Sequence, residues 1–342
     1  MKSLLKVKNK PLLIGEVSCN HNGNIKNAKK IIDVAKKNGV DLIKFQTYDA
    51  SSLTIKSSKK DFLIKKGLWK GRKLWDLYNL AKTPFSWQKE LFDYSKRKGI
   101  RCFSTPFDVK AVDLLEKLNC PLYKLASFEI NHFPLIKRIS ETKKPLIIST
   151  GMSQIKDIDL AVNFAKKNGS KEIIILYCVS NYPSKIEDFN FKNIDIIKKR
   201  YSCKVGFSDH SIDNRVASAA ILAGADYIEK HIALNNQKKG FDIKFSLKGS
   251  EIKDFREDID VAWKLRGRNY FYRNKSENIN KIFKRSIYVV KKIKKGDKFT
   301  MENISVIRPG FSLNPIYYYK ILNKKAKKNY LAGDRIKYSQ VF

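Results

Sequence analysis

Clusters of polar and ionisable residues follow short apolar segments of this sequence at eight places. Hydroxyl, imidazole, ammonium and carboxylate groups in such positions can hold anions, bind metals or transfer protons. A segment that only packs into a core has no need of them. The clusters are Glu16 to His21, Lys44 and Gln46, Ser104 and Thr105, Lys124 to Glu129, Ser149 and Thr150, Ser180 to Tyr182, Ser208 to His210, and Glu229 to His231. We therefore predict that the eight ends converge on one functional site.

Two of the 4 histidines, His210 and His231, end neighbouring apolar segments. If these segments are adjacent strands, the two imidazoles lie within reach of one metal ion. Two imidazoles with open coordination positions suit a catalytic divalent metal better than a closed structural site. The alternative is a pair of rim histidines that bond to the backbone. Because His21 and His132 are also present, the count alone does not select the pair.

Lys44 and Lys124 lie inside otherwise apolar segments, whereas an ordinary lysine of this chain is expected to face solvent. An inward-facing ammonium needs an anionic partner, because burial of an unpaired charge is costly. Hydroxyl donors for the same anion come from Thr105, Ser127, Ser149 and Ser208. The set predicts a site for a small phosphorylated acid. A Schiff-base lysine is the competing interpretation, but two lysines with several hydroxyls favour anion binding.

Short β-rich segments alternate with helical patterns over the first three quarters of the chain. The predicted strands are residues 12–17, 41–46, 101–104, 122–126, 145–149, 172–178, 204–207 and 227–230. The predicted helices are residues 27–38, 87–98, 109–118, 133–141, 155–167, 194–200, 214–223 and 250–265. Eight such units in about 265 residues predict an α/β fold, a TIM (β/α)8 barrel, rather than an open doubly wound sheet. Catalytic groups of a TIM barrel come from the carboxyl ends of its strands, where the polar clusters lie.

Three further segments depart from this alternation. The long connection between residues 48 and 85 contains tryptophans and basic residues, and such loops are usually lids or binding loops. Its structural alternative is a helical insertion on the barrel rim. Residues 266–282 are polar and aperiodic, which predicts a linker between a catalytic domain, residues 1–265, and a β-rich module, residues 283–342. Within this module strand-like pieces at 286–290, 293–297 and 304–308 accompany predicted turns at Lys295–Asp297 and Ala332–Asp334.

The amino-acid composition excludes some classes of protein but does not identify a binding partner. Hydrophobic residues at 43% and aromatic residues at 12% exclude intrinsic disorder. The net charge of +37 would suit a polyanion, yet only 13 of the 70 basic residues are arginine, and A/T-rich codons explain the excess of lysine equally well. Five cysteines without a CxxC pair, and apolar segments too short to cross a bilayer, predict a reduced, cytoplasmic protein. We expect neither a nucleic-acid partner nor a membrane partner.

Several of these clusters resemble motifs of the sialic acid synthase family, which condenses phosphoenolpyruvate with an amino-sugar aldehyde. The motifs are IGEVSCNHNG (14–23), KFQTY (44–48), FSTPF (103–107), YKLASFE (123–129), ISTGM (148–152), YP (182–183), GFSDH (206–210) and IEKH (228–231). The C-terminal module resembles the antifreeze-like (SAF) domain of these synthases. The resemblance covers essentially the whole chain and supports the TIM barrel with a small C-terminal SAF domain.

The resemblance implies a role for many residues of these motifs. Phosphoenolpyruvate would be bound by Lys44, Thr105, Lys124, Ser127, Ser149 and Ser208. His210 and His231 would hold a divalent metal, Mn²⁺ or Mg²⁺, with Co²⁺ as a further candidate. The sugar would face Glu16, Gln46, Glu129, Tyr182 and Asp242. Ser180 stands where an asparagine contacts the phosphate in the neuraminate branch, and Arg308 would reach the active site of the other subunit in a domain-swapped homodimer.

The long connection and residues 244–247 resemble the pseudaminic acid synthase branch of the family. The expected acceptor is then 2,4-diacetamido-2,4,6-trideoxy-β-L-altropyranose. A synthase for N-acetylneuraminate or legionaminate is the alternative, and a basic polyanion-binding protein is the non-enzyme alternative. In the enzyme, the metal held by His231 would activate the aldehyde, and Glu129 or Glu16 would transfer the proton.

Overall fold

Eight parallel strands form a closed sheet in the first part of the chain. The computed structural model describes residues 5–268 and 270–342, so that residues 1–4 and Asn269, which falls in the predicted linker, lie outside it. The strands are β1 (Leu12–Glu16), β2 (Leu42–Thr47), β3 (Arg101–Pro106), β4 (Tyr123–Leu125), β5 (Leu146–Ser149), β6 (Ile173–Cys178), β7 (Lys204–Asp209) and β8 (Tyr227–Ala233). They pair in chain order, and β1 also pairs with β8. The predicted TIM barrel is thereby confirmed.

Helices surround this barrel and cover its strands. They are α1 (Ile25–Lys37), α2 (Ala50–Leu53), α3 (Leu74–Ala81), α4 (Phe85–Arg97), α5 (Val109–Lys117), α6 (Phe133–Glu141), α7 (Ile155–Lys167), α8 (Lys192–Tyr201), α9 (Arg215–Leu222) and α10 (Glu251–Arg266). Helix α1 begins two residues before the predicted start because the Asn24 side chain accepts from the amide of Lys26 at 2.9 Å. It ends before Gly39, whose φ of 86° is in the left-handed region that glycine tolerates.

Strands β7 and β8 continue beyond their predicted ends. The sequence places the last strand residues at Phe207 and Lys230, whereas the ladder includes Asp209 and runs to Ala233. Polar residues therefore remain within the hydrogen-bonded strands instead of beginning the loops. A short strand, β9 (Leu247–Lys248), pairs with the extension of β8. The functional side chains of these strands are thus fixed by the sheet.

The connection between β2 and α4 is ordered and has its own secondary structure. It contains α2, a 3-10 turn at Lys60–Phe62 and α3. Between the turn and α3, Leu63 forms an antiparallel bridge with Lys73, so that residues 63–73 fold back as a hairpin. The amide of Ile64 bonds to the carbonyl of Arg72 at 2.9 Å and closes it.

Residues 268–342 form a second unit with a small core of its own. After 3-10 turns at Lys275–Phe283, strands β10 (Ser286–Val289) and β11 (Ile304–Ile307) pair antiparallel, and a short helix α11 (Tyr318–Ile321) follows. The piece predicted as a strand at 293–297 is instead a single bridge at Ile293 followed by a turn, in which the amide of Asp297 bonds to the carbonyl of Lys294. The second predicted turn is present, since the amide of Asp334 bonds to the carbonyl of Leu331.

Membrane insertion of a helix is not supported by the described structure. In residues 5–268 and 270–342, no helix combines the length and the apolar composition that a bilayer span requires.

Candidate active site

A cavity of about 380 Å³ lies at the carboxyl ends of the barrel strands. Most of the residues predicted from the sequence line it. They are Glu16, Lys44, Gln46, Lys124, Ser127, Glu129, Ser149, Tyr182, Ser208, His210, His231 and Asp242. The strands that carry them are far apart in sequence, and barrel closure brings their ends together.

The register of the sheet places several ionisable groups in one row. Glu16 lies opposite Lys44 of β2 on one side and His231 of β8 on the other. The Lys44 ammonium contacts the carboxylate of Glu16 and lies 2.9 Å from Oε1 of Glu229. Burial lowers the pKa of Lys44, but the two carboxylates outweigh this effect and raise it above its ordinary value. Lys44 is therefore held as a cation.

Lys124 is less fully paired than Lys44. Its Nζ donates to the Ser149 hydroxyl at 2.6 Å and is 3.8 Å from Oε1 of Glu229. Burial lowers the pKa of the Lys124 ammonium to about 8, against the opposing attraction of Glu229. An incoming anion would restore the missing charge interaction. This corner of the cavity therefore has the charge and the hydroxyl donor that the predicted anion site requires.

Glu229 lies in the predicted cluster of residues 229–231, but the sequence analysis gave it no role of its own. Its carboxylate accepts from the Ser208 hydroxyl at 3.0 Å and contacts both lysines. Although burial alone would raise its pKa, the two ammonium groups lower it well below the ordinary range. The alternation of side chains along a strand could have indicated Glu229 from the sequence. Residues 229 and 231 share the inner face of β8, whereas Lys230 points outward and pairs with Asp209 at 2.8 Å.

The two histidines predicted as metal ligands lie side by side, with ring centroids 5.5 Å apart. Nδ1 of His210 lies 3.1 Å from the carbonyl of Val179, and Nδ1 of His231 lies 3.3 Å from the carboxylate of Asp242. The contact of His210 engages its Nδ1 and leaves Nε2 available to a metal. Nδ1 of His231 lies near Asp242 but has no hydrogen-bond partner within the described residues. Among the described residues no group of three histidine, cysteine or acidic side chains is arranged around a metal position. A metal ion held by these two histidines alone would keep open coordination positions, and the metal site stays a prediction.

The other two histidines have partners elsewhere in the barrel unit. His21 is buried and its Nε2 lies 3.1 Å from the Thr83 hydroxyl. His132 accepts from the amide of Leu135 and caps α6. These contacts set His21 and His132 apart from His210 and His231, a distinction that the number of histidines alone could not make.

Glu129 differs from the other carboxylates of the cavity. It is 8% exposed and forms no ion pair among the described residues, whereas Glu16 and Glu229 both contact Lys44. Burial raises the pKa of Glu129 to about 7, while the charge of Lys124 opposes this in part. A carboxyl with this pKa exchanges a proton near neutral pH, as a general acid or base must.

Three predicted residues are not part of the cavity lining. Thr105 is buried next to Gln46 in the sheet register. Ser180 packs so closely against Gly151 that a Cβ on this glycine would overlap the Ser180 hydroxyl. Arg308 is exposed in the second unit, directly after β11. The roles of these three residues stay predictions.

The long β2–α4 connection contributes to the cavity. Its residues Leu53, Ile64, Trp69, Leu74, Leu77, Tyr78 and Ala81 line one side. The sequence left a rim insertion and a binding loop as alternatives, and the cavity lining favours the second.

Comparison with known proteins identifies families and solved structures that this chain resembles. The NeuB family matches residues 31–270 and the SAF domain matches residues 284–341. A pseudaminic acid synthase of Campylobacter jejuni is 40% identical over 328 residues, 96% of each chain. An N,N'-diacetyllegionaminic acid synthase of the same organism is 35% identical over 333 residues, 96% of this chain and 99% of that one. The crystal structure of an N-acetylneuraminic acid synthetase from Leptospira borgpetersenii is 28% identical with a TM-score of 0.71, covering 80% of this chain and 90% of that one.

Proposed function

This chain belongs to the NeuB family, and from that premise we propose that it catalyses the pseudaminic acid synthase reaction. Phosphoenolpyruvate, 2,4-diacetamido-2,4,6-trideoxy-β-L-altropyranose and water would give pseudaminic acid and phosphate. The observation that carries the proposal is the cavity in which two buried lysines, serine hydroxyls and two histidines converge. The choice of acceptor rests on the relatives, since the pseudaminic acid synthase is more similar than the legionaminic acid synthase.

Phosphoenolpyruvate is assigned to the lysine side of the cavity. Lys124 is the cation with the longer distance to a carboxylate, so its charge is the most available to the substrate. Ser149 and Ser208 already bond to members of the Lys124–Glu229 pair and would reorient toward the phosphate or carboxylate. Fixed cations and hydroxyls would stabilise the charge that develops during the reaction.

A divalent metal, Mn²⁺ or Mg²⁺, is assigned to His210 and His231. When bound there, it supplies Lewis-acid polarisation of the open-chain sugar aldehyde. The carbonyl of Val179, 3.1 Å from Nδ1, would orient the imidazole of His210, and the carboxylate of Asp242 lies 3.3 Å from Nδ1 of His231. Asp242 is itself fixed by the Ser18 hydroxyl at 2.6 Å.

The bond changes require one proton to be delivered and one water to add. The enol carbon of phosphoenolpyruvate attacks the aldehyde carbon, and the aldehyde oxygen takes a proton to become a hydroxyl. Water then adds to the resulting oxocarbenium-like carbon, a proton is released, and phosphate leaves from the tetrahedral intermediate. We assign the first proton to Glu129 rather than Glu16, because Glu16 is ion-paired with Lys44.

The active assembly is proposed to be a homodimer. Arg308 of one chain would enter the cavity of the partner, where a guanidinium can bind a carboxylate in a bidentate manner. The match of residues 284–341 to the SAF domain supports a dedicated module for this task. Because phosphoenolpyruvate is a metabolite of the cytoplasm, we place the reaction there.

Product identification tests the proposed reaction. Purified protein with Mn²⁺ and phosphoenolpyruvate receives either the diacetamido sugar or N-acetylmannosamine, and products are identified by mass spectrometry and NMR. We expect phosphate release and a nine-carbon acid with the first sugar and much less with the second. A higher kcat/KM with N-acetylmannosamine would assign the protein to the neuraminate reaction, and no product with either sugar would refute the proposal.

The metal assignment has an independent test. His231→Ala is expected to lose Mn²⁺ binding in isothermal titration calorimetry together with metal-dependent turnover. His132→Ala, at the cap of α6, is the matched control and should keep both. Full activity of His231→Ala in the presence of EDTA would contradict the assignment.

A further inference from the structure

One side of the active-site cavity is lined mainly by apolar side-chain atoms. Its side-chain hydrogen-bonding groups are the Tyr78 hydroxyl and the buried indole Nε1–H of Trp69, which has no partner within the described residues. This side comes from the long connection between β2 and α4, and we call it the apolar wall. It consists of Leu53, Ile64, Trp69, Leu74, Leu77 and Tyr78. The contrast with the charged strand ends means that the two regions suit different parts of a substrate.

The apolar wall is attached to other loops of the barrel mouth. The Trp69 ring lies 5.7 Å from the Tyr182 ring, and Tyr182 in turn lies 4.4 Å from the ring of His210. The guanidinium of Arg72 stacks 5.2 Å above the ring of Phe241, which also lines the cavity. The wall is therefore held next to the histidine pair, where the acceptor aldehyde would react.

The chemistry of the wall restricts what can bind against it. A hydroxyl group that loses water on binding needs a new hydrogen-bond partner. The leucines and the isoleucine of the wall offer none, so that only Trp69 and Tyr78 could supply one. A methyl group loses nothing and gains by burial. The diacetamido sugar carries a methyl at C6 and two acetamido methyls, whereas N-acetylmannosamine has hydroxyls at C4 and C6.

We propose that the apolar wall is the subsite for the methyl groups of the acceptor and that it selects a 6-deoxy diacetamido sugar over a hexosamine. The proposal rests on the synthase function proposed above. The wall acts on acceptor choice and leaves the phosphoenolpyruvate site intact, because Lys44 and Lys124 lie on other elements.

Steady-state kinetics of two truncations test the subsite. Trp69→Ala and Ile64→Ala should each lower kcat/KM for the diacetamido sugar by about tenfold or more and reduce its preference over N-acetylmannosamine by a similar factor. The KM for phosphoenolpyruvate should stay within about twofold of the wild-type value. Trp69→Phe keeps an apolar ring and should retain most of the preference.

Matched substitutions outside the cavity lining provide the controls. Trp75 lies on α3 and Leu63 lies on the hairpin, and neither residue belongs to the cavity lining. The control variants are therefore Trp75→Ala and Leu63→Ala. Both should keep the acceptor preference. If Trp69→Ala and Ile64→Ala lose activity equally with both sugars, or raise the KM for phosphoenolpyruvate as much as that for the acceptor, the subsite is wrong although the synthase function stands. A wild-type protein inactive with both sugars would instead refute the function itself.

Discussion

At the scale of single residues, Glu129 and Glu229 show how position decides the chemistry of a carboxyl group. Both are buried in the same cavity. Glu229 lies between two ammonium groups, which keep it ionised. For Glu129, burial outweighs the charge of Lys124 and a backbone hydrogen bond, so its pKa rises. One carboxylate thus organises the cations, and the other is available to exchange a proton.

The raised pKa of Glu129 predicts opposite effects of Glu129→Gln on activity and on stability. Between the ordinary carboxyl pKa of about 4.3 and the folded value of about 7, the folded protein binds more protons than the unfolded chain. Its free energy of unfolding therefore falls as pH rises through this interval. The substituted amide does not ionise and avoids this loss. The free energy of unfolding of the variant should therefore exceed that of wild type by about 3 kcal/mol at pH 8, whereas the two should differ little near pH 4. Urea unfolding at both pH values measures the difference.

The same substitution also predicts a change in how kcat/KM depends on pH. Glu129→Gln should lower kcat/KM by about 10²-fold or more and remove the inflection near pH 7 that we expect in the wild-type profile. Retention of this inflection in Glu129→Gln, with loss in Glu16→Gln, would assign the proton to Glu16. A stability difference that does not change with pH would mean that Glu129 is not the shifted group.

At the scale of elements, close packing of strands positions the site. Gly206 of β7 has no room for a side chain, since a Cβ would lie 2.5 Å from the backbone carbonyl oxygen of Tyr227 on β8. A Cβ on Gly15 of β1 would instead lie 2.7 Å from the end of the Ile232 side chain, which can rotate away. The same substitution therefore meets a rigid obstacle in one strand and a movable one in another.

Gly206→Ala should destabilise the barrel by about 1–3 kcal/mol, because the two strands must separate locally. Gly15→Ala, the matched control, should cost less. Denaturant unfolding of both variants gives the comparison, and phosphoenolpyruvate binding should weaken in Gly206→Ala, since Ser208 and Glu229 lie on the displaced strands. An equal or larger loss of stability in Gly15→Ala would contradict this account.

At the scale of the whole molecule, neither the net charge of +37 nor the presence of a C-terminal unit assigns a role to more than a few residues. Lys44 and Lys124 are buried, whereas lysines such as Lys89 and Lys199 form exposed pairs one turn apart on helices. Exposed pairs of this kind contribute little to stability and name no partner. The basic residues to which we assign a function are Lys44 and Lys124, which are buried, and Arg308 of the SAF module.

The proposed exchange of Arg308 between subunits predicts complementation. Arg308→Ala and Lys124→Ala should each be nearly inactive alone. Co-expressed in equal amounts, they form heterodimers in about half of the dimers, and one of the two sites in each heterodimer then has both residues. Activity should recover to about one quarter of wild type. No recovery, with mixed dimers verified by two affinity tags, would show that each chain uses its own Arg308 or none.

The sequence by itself determined the elements and the chemical inventory of this protein. Strand and helix periods, together with helix-ending residues such as Gly39, located the barrel units to within a few residues. The polar residues after each strand predicted a site because barrel topology forces their convergence.

Only the tertiary structure decided which of these groups interact. Glu229 became part of the site through the register of β7 and β8, and His21 was separated from the histidine pair by its contact with Thr83. The apolar wall likewise depends on where a connection of almost 40 residues folds back. Local sequence specifies how the chain turns and alternates, whereas charge pairing and cavity shape arise between residues that only the closed barrel brings together.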